Sequence, residues 1–190
     1  MSNKHIALFS LFQPVPVARS LRLIGFGPCV LVTSGDDERP NVAPIAWTTP
    51  VADDPPILAI VVYGKHHTAR LIRRTRTFVV NIPEKSLAGA LLKCGSASGR
   101  TTDKFKASGL TPEKGRTVGT PHLAEASAFI ECRLLKAIDV EGDVVFFGKV
   151  AGAFARPGFF KDGRVSPRAK TFHHMGGGTF ALTGARFAGK

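Results

Sequence analysis

Residues 57–63, Ile-Leu-Ala-Ile-Val-Val-Tyr, form an unbroken apolar run that is entered through Pro55-Pro56 and closed by Gly64. A run of this length with several β-branched residues makes a single strand, of the kind that is buried on both faces. It is far short of the roughly 20 apolar residues that a membrane-spanning helix needs, so nothing in the chain is expected to cross a bilayer.

The same punctuation recurs along the chain. Residues 29–33 are apolar and β-branched and end in the polar cluster Ser34-Gly35-Asp36-Asp37-Glu38-Arg39-Pro40, after which residues 41–49 resume apolar character. That pattern predicts a hairpin. Residues 78–82 form another strand, stopped by Pro83. Residues 128–140 and 144–154 flank the turn Glu141-Gly142-Asp143 as a long β-hairpin, and residues 179–183 form a last strand. Helices are expected at 67–75, where Thr68, Leu71, Ile72 and Thr75 face inward and the arginines outward, at 86–93, and briefly around 103–107. Residues 94–102 read as a Gly/Ser/Thr loop, and 109–122 as an irregular surface connection. About seven strands with short helices between them, and no strict βαβ alternation, indicate a mainly β fold and an antiparallel barrel.

With 190 residues, 44% of them hydrophobic, the chain can bury a core as one domain without disulfides or a structural metal. Cys29, Cys94 and Cys132 have no CxxC or other regular spacing, which reads as reduced thiols in a cytoplasmic protein. Lys4 and His5 precede an apolar stretch as in a signal peptide, but Pro14 and Pro16 follow and no small-x-small cleavage site appears. Residues 1–27 are therefore expected to be an N-terminal arm packed on the domain.

The formal charge is +12, and it is regional. Residues 55–83 carry Lys65, Arg70, Arg73, Arg74 and Arg76 and no acid, and residues 151–190 carry seven basic residues against Asp162 alone. Nucleic acid, a membrane surface and small anions are all possible targets of such charge. Single-strand readers interleave aromatics with the charge; residues 65–76 hold none, which makes a nucleic-acid module a minor alternative.

Several chemistries find no support in the sequence. There is no GxSxG elbow, no GxGxxG and no GxxxxGK[ST]. His66-His67 and His173-His174 are adjacent pairs that splay apart in either strand or helix, so no metal site is expected. Three segments together suit an anionic ligand. Lys65-His66-His67-Thr68 stands at a helix start, where free N–H groups and the dipole favour a phosphate. Ser96-Ala97-Ser98-Gly99-Arg100 allows close backbone approach, and Lys104-Phe105 pairs a cation with an aromatic ring.

The order of these segments relative to others resembles the flavin reductase-like FMN-binding proteins of the split β-barrel fold, including flavoredoxins and the reductase components of two-component monooxygenases. The likeness runs from about Pro28 onward. It rests on Asn41-Val42-Ala43-Pro44-Ile45-Ala46-Trp47, the Pro55-Pro56 strand followed by Thr68 at a helix start, and Phe78-Val79-Val80-Asn81-Ile82-Pro83. Ser98-Gly99 with Asp103-Lys104-Phe105, Gly109-Leu110-Thr111, and Glu131-Cys132 before the Gly142-Asp143 turn complete the ordered set.

The resemblance implies an antiparallel Greek-key split barrel that binds FMN and acts as an oxidoreductase with NADH or NADPH as co-substrate, reducing flavin or a small acceptor. It implies that Ala46, Trp47, Thr48 and Thr49 run along the isoalloxazine. Thr68 with Lys65 or His67 would bind the phosphate, Ser98, Gly99 and Lys104 would close over it with Phe105 beside them, Asn81 would lie near the ring, and His174 would line the flavin or nicotinamide side. Relatives often carry Ser where this chain has Ala46, and an arginine where it has Lys65-His66-His67. The chemistry belongs to the flavin, so no catalytic side chain is expected. A homodimer with FMN near the interface, and a small-molecule acceptor or partner oxygenase, are further implications. An FMN electron carrier without NAD(P)H activity is the alternative within the same family.

Overall fold

The structure is a computed structural model that describes residues 13–25 and 27–184. Its main sheet has seven strands, all pairing antiparallel, in the order β2-β1-β5-β8-β9-β4-β3. These are β1 (Val30–Ser34), β2 (Asn41–Ile45), β3 (Thr48–Asp53), β4 (Pro56–Tyr63), β5 (Thr77–Ile82), β8 (Ala128–Val140) and β9 (Asp143–Ala155). Two-residue strands β6 (Pro112–Glu113) and β7 (His122–Leu123) pair with each other, as do β10 (Phe160–Lys161) and β11 (Arg164–Val165). Strands β12 (Phe172–Gly176) and β13 (Thr179–Leu182) form a last hairpin.

The strand order makes β2 and β3 opposite edges of the sheet, yet only Ala46-Trp47 lies between them in the chain. Three Cα steps reach at most about 11 Å. The sheet must therefore curl until its edges meet, which makes it a barrel split along one seam at Ala46-Trp47. There the Trp47 carbonyl accepts the Val61 N–H at 3.0 Å. The hairpin expected over 29–49 thus ends at Ile45, and residues 48–49 belong to the far side of the barrel.

Side chains alternating inward fill the barrel: Val30, Val32, Ile60, Val62, Phe78, Val80 and Phe146 are among the buried residues of one continuous core. Gly148 sits where a Cβ would fall 2.5 Å from the Phe78 ring, so its missing side chain is what admits Phe78. Helix α1 (His67–Thr75) contributes Ala69 and Ile72 to the same core, and Thr68 and Leu71 are buried with them. Its outward Arg73 and Arg74 pair with Asp139 at 2.6 Å and Asp36 at 3.0 Å. Helices α2 (Ala88–Ser96) and α3 (Lys104–Ser108) pack outside β1 and β2, where Leu31, Val42, Leu91, Phe105 and Phe172 form a second cluster.

Several expectations need correction. Residues 57–63 are not buried on both faces: Ile60 and Val62 are sealed, but Val61 is half-buried and Tyr63 is 43% exposed. The outer face of β4 borders a surface hollow instead of a second layer. Cys94, Gly95 and Ser96 belong to helix α2 rather than to the following loop. The connection 109–122 is held by the fully buried Glu131, whose carboxylate accepts the N–H groups of Arg116 and Thr117 at 2.6 Å and the Thr117 hydroxyl. Residues 172–176, outside every strand expected from the sequence, form a strand that pairs with β13.

Of the arm expected over residues 1–27, residues 1–12 and 26 lie outside the described residues. The part described holds a 3₁₀ helix, Val17–Leu23, with no buried residue.

Candidate functional site

Between the start of α1 and the α2–α3 connection lies a cavity of about 390 Å³, and no acidic residue lines it. The N-cap residue of α1, His66, is extended, and no side chain caps the first turn. The free N–H groups there face the cavity with the positive end of the helix dipole.

Thr68 is 2% exposed, and its hydroxyl oxygen accepts the Asn41 amide N–H at 3.0 Å. That bond leaves the threonine proton free to donate elsewhere. The Asn41 Oδ1 is buried with no partner. Gly99 packs so closely that a Cβ on it would strike this oxygen. Across the cavity, Arg100 donates to the Lys65 carbonyl at 3.0 Å and so holds the 98–100 loop over the helix start.

Two titratable groups carry the electrostatic signature. Lys104 is buried, 8% exposed, and makes no ion pair among the described residues. Burial pushes its pKa down, with nearby Cys94 opposing the change. The His67 Nδ1 lies 3.3 Å from the Arg70 guanidinium, which must be the donor, so the ring proton sits on Nε2. Burial first, then the cations of Arg70, Arg100, Arg74 and Lys104, hold the His67 pKa below the usual 6.5. Of these cations Arg74 is paired with Asp36, whereas Arg70, Arg100 and Lys104 make no ion pair among the described residues, so the site concentrates positive charge. Cys94 also lines the cavity, its pKa raised by burial, with the Ser108 hydrogen bond and Lys104 opposing.

The cavity continues into two apolar hollows. The first, about 250 Å³, shares Pro44 and Gly95 with it and adds Ala46, Leu92, His174 and Phe180. The second, about 360 Å³, shares Ala46 and is walled by Trp47, Thr48, Thr49 and Val61. The three form one trough along the barrel seam, basic at one end and apolar at the other. Trp47, 51% exposed, is a wall of this trough and not core.

The residues singled out in the sequence divide among these places. Lys65, His67, Thr68, Ser98, Gly99 and Lys104 meet in the basic cavity. Ala46 and His174 line the middle hollow, and Trp47, Thr48 and Thr49 the far one. His174 is fixed by a 2.9 Å bond to the Gly177 carbonyl.

Asn81 is a correction. It is fully buried, donates to the Leu31 carbonyl at 3.0 Å and Thr33 Oγ1 at 3.1 Å, and accepts the Leu123 N–H at 2.8 Å. With its amide spent on tying β5 to β1 and β7, it has nothing to offer a ligand. Phe105 is 7% exposed and packs in the outer core behind Lys104, outside the basic cavity. Asn41, which orients Thr68, went unassigned although it opens the Asn-Val-Ala-Pro segment; the signal was a polar residue at the start of an otherwise apolar strand.

Residues 26–165 match the family model of the flavin reductase like domain. The chain belongs to the flavin reductase like domain family. It is 36% identical over 184 residues to the protein YddH of Escherichia coli (strain K12), covering 93% of this chain and 97% of that one. It is 30% identical over 156 residues to the reductase component of a 4-nitrophenol 4-monooxygenase/4-nitrocatechol 2-monooxygenase from Rhodococcus opacus, covering 78% of each. Among solved structures, an FMN-binding protein from Thermus thermophilus with bound 1-cyclohex-2-enone superposes with a TM-score of 0.81 at 26% identity, over 94% of this chain and 97% of that one. The split barrel of this flavin reductase-like chain is the fold of those neighbours. The basic cavity lies within the matched segment, while His174 lies beyond it.

Proposed function

We propose that the protein binds FMN along the seam trough and works as an NAD(P)H-dependent oxidoreductase that reduces flavin or another small acceptor. The observation that carries this reading is Lys104, a buried cation with no counter-ion among the described residues, facing a cavity at an uncapped helix start. A buried charge is costly unless paired, and a phosphate monoester supplies the missing partner. The close approach at Gly99 leaves room for a ligand beside the loop, and the buried Asn41 Oδ1, an acceptor without a donor among the described residues, would take its hydrogen bond from a ribityl hydroxyl rather than from the phosphate.

Lys104, the Thr68 hydroxyl, His67 Nε2 and the first N–H groups of α1 would hold the phosphate, with Lys65, Ser98 and Gly99 at its rim. Ala46, Trp47, Thr48, Thr49 and His174 would border the ring, excluding water and fixing its orientation. Bound flavin supplies the hydride and electron chemistry. No acid or base of the trough has to act on the substrate, and the residues contribute position and electrostatics.

The trough is open along the seam, and a second copy of the chain covering it in a homodimer belongs to the same reading. So do a single domain over residues 1–190, a partner oxygenase as one destination of reduced flavin, and a cytoplasmic setting. Free, buried Cys29 and Cys132, whose thiols are pushed up to about 11 and about 12 by burial, suit that setting. No helix among the described residues is long and apolar enough to cross a membrane.

The test starts from the visible spectrum of freshly purified protein and an FMN titration. Micromolar binding is expected, and a colourless protein that ignores FMN would overturn the reading. Anaerobic stopped-flow mixing of the FMN-loaded protein with NADH and NADPH should bleach the oxidised flavin with at least one of them. Flavin that binds but is bleached by neither identifies an electron carrier.

A further inference from the structure

A separate cavity, of about 570 Å³, lies on the far side of β12 from the seam trough. His173 lines this cavity and His174 lines the trough. Successive side chains of a strand point to opposite faces, so β12 is the partition between the two spaces. Cys29 is the one described residue that lines both, and its N–H donates to the Phe172 carbonyl at 3.0 Å, which ties the partition to the entry of β1.

Charge and shape together select the occupant. No charged side chain lines the cavity among the described residues, although the formal charge of the chain is +12. On the β10–β11 hairpin the paired Phe160 and Val165 face the cavity, and the next pair, Lys161 and Arg164, is turned to the other face. An ion entering here would lose its water and gain no counter-ion, so the occupant is uncharged.

Phe129, Phe154, Phe159 and Phe160 supply an aromatic wall. The Phe129 and Phe154 rings meet at 5.0 Å. His122 stacks on Phe129 at 3.9 Å, and the Arg116 guanidinium lies 4.9 Å from the centre of the Phe154 ring. Neither His122 nor Arg116 lines the cavity, so both brace these rings from behind and the wall stands before a ligand arrives. Phe160 is 55% exposed at the mouth, apolar surface that a ligand would cover. At the opposite, polar end the Thr171 and Thr183 hydroxyls lie 2.8 Å apart. Whichever of them donates, each oxygen keeps a lone pair that a ligand hydroxyl can reach.

A closed cavity of about 150 Å³ takes one benzene ring, and small-molecule sites run to about 300–1,000 Å³. We propose that this cavity is a binding site for an uncharged, hydroxylated aromatic compound of about two rings, filled independently of the trough.

The test is calorimetric titration of the full chain with naphthol, a two-ring phenol, and with naphthoate, its carboxylate counterpart, before and after saturation with FMN. Naphthol should bind in both states with a dissociation constant of about 10–100 μM. Naphthoate should bind at least about tenfold more weakly. Ala153→Phe puts a ring into the cavity from an exposed position on β9, and should cut naphthol affinity about tenfold or more while FMN binds as in the parent. Phe160→Ser, at the mouth, disturbs no core residue and should cost about threefold or more in naphthol affinity. Naphthol that FMN displaces, or that both variants bind as the parent does, belongs to the trough or to the open surface and overturns the inference. So does naphthoate binding as tightly as naphthol. Absence of naphthol binding overturns it too, and an altered sedimentation mass in Ala153→Phe would then give the cavity to a second copy of the chain. The flavin-free titration stands even where FMN fails to bind, so this inference and the FMN reading fail separately.

Discussion

The two ends of the seam trough are built on opposite principles. At the basic end, enclosed polar groups lack partners among the described residues: the buried residue Lys104 has no counter-ion, Asn41 Oδ1 has no donor, and α1 has no side-chain cap. At the apolar end the side chains are exposed and need nothing, as with Trp47 at 51% and Leu92 at 45%. The first end costs the empty protein stability that a ligand restores; the second costs little and gains little. Strength of binding should therefore come mainly from the cavity, while the hollows set the orientation of the ring.

The sharpest way to break this contrast is Lys104→Met. Losing a hydrogen bond from a charged group, worth about 1.5–3 kcal/mol, should weaken FMN binding roughly ten- to a hundredfold. The same change removes an unpaired buried cation, so the flavin-free protein should become more stable, by ~1 kcal/mol or about 2–4 °C in Tm. Opposite signs in titration and thermal melting are the outcome to look for. A variant that loses stability and affinity together would show that Lys104 is an ordinary structural residue.

Gly99→Ala comes next. Its Cβ would collide with Asn41 Oδ1, and Asn41 is held to Thr68 at 3.0 Å. Displacing Asn41 frees Thr68 to turn its hydroxyl away, and about a tenfold loss of FMN affinity is expected from one misdirected phosphate contact. Ring-end substitutions should be additive with it, since they lie outside the cavity.

What the sequence disclosed follows the same division. Strands such as 78–82 and the 128–155 hairpin were legible because alternation and turn chemistry are local. That Thr68, Ser98, Gly99 and Lys104 line one cavity was legible because a helix start, a glycine-serine loop and a lysine carry their chemistry in their type. Asn81 misled because an asparagine in an apolar strand reads alike whether it faces a ligand or, as here, Leu31, Thr33 and Leu123. The break at Ala46-Trp47 was invisible for a different reason. Only the pairing of β3 with β4, rather than with β1, splits residues 41–49 into two edges of the barrel. Such pairing is a property of the whole sheet and leaves no mark in a nine-residue window.

At the apolar end, Trp47→Ala should cost less, roughly 0.5–1.5 kcal/mol, or about two- to tenfold in FMN affinity. Trp47 is also the sole tryptophan in the chain. Its emission should be quenched when FMN occupies the trough, and this gives a direct optical check on which hollow takes the ring. Full binding with unquenched Trp47 emission would place the ring elsewhere and dissolve the comparison between the two ends.

The smallest expected effect is the pH dependence contributed by His67. Burial and the cations of Arg70, Arg100, Arg74 and Lys104 hold its folded-state pKa below 6.5. The flavin-free fold therefore resists protonation, and the unfolded chain takes up the proton first. Stability from this group is full above about pH 6.5 and is lost as pH falls through 6.5 toward the folded value. A bound phosphate dianion beside the ring reverses the shift, so binding draws in part of a proton and His67 favours affinity as pH falls across that window. The ligand opposes the trend, because its own phosphate gains a proton near pH ~6. The informative quantity is thus the ratio of parent to His67→Gln affinity, which should rise by about threefold between pH 7.5 and 6. Calorimetry in buffers of different ionisation enthalpy should show proton uptake in the parent and less in the variant. A ratio that stays flat would mean that His67 keeps its Arg70 contact and takes no part in holding the phosphate, leaving Lys104 and Thr68 to define the basic end.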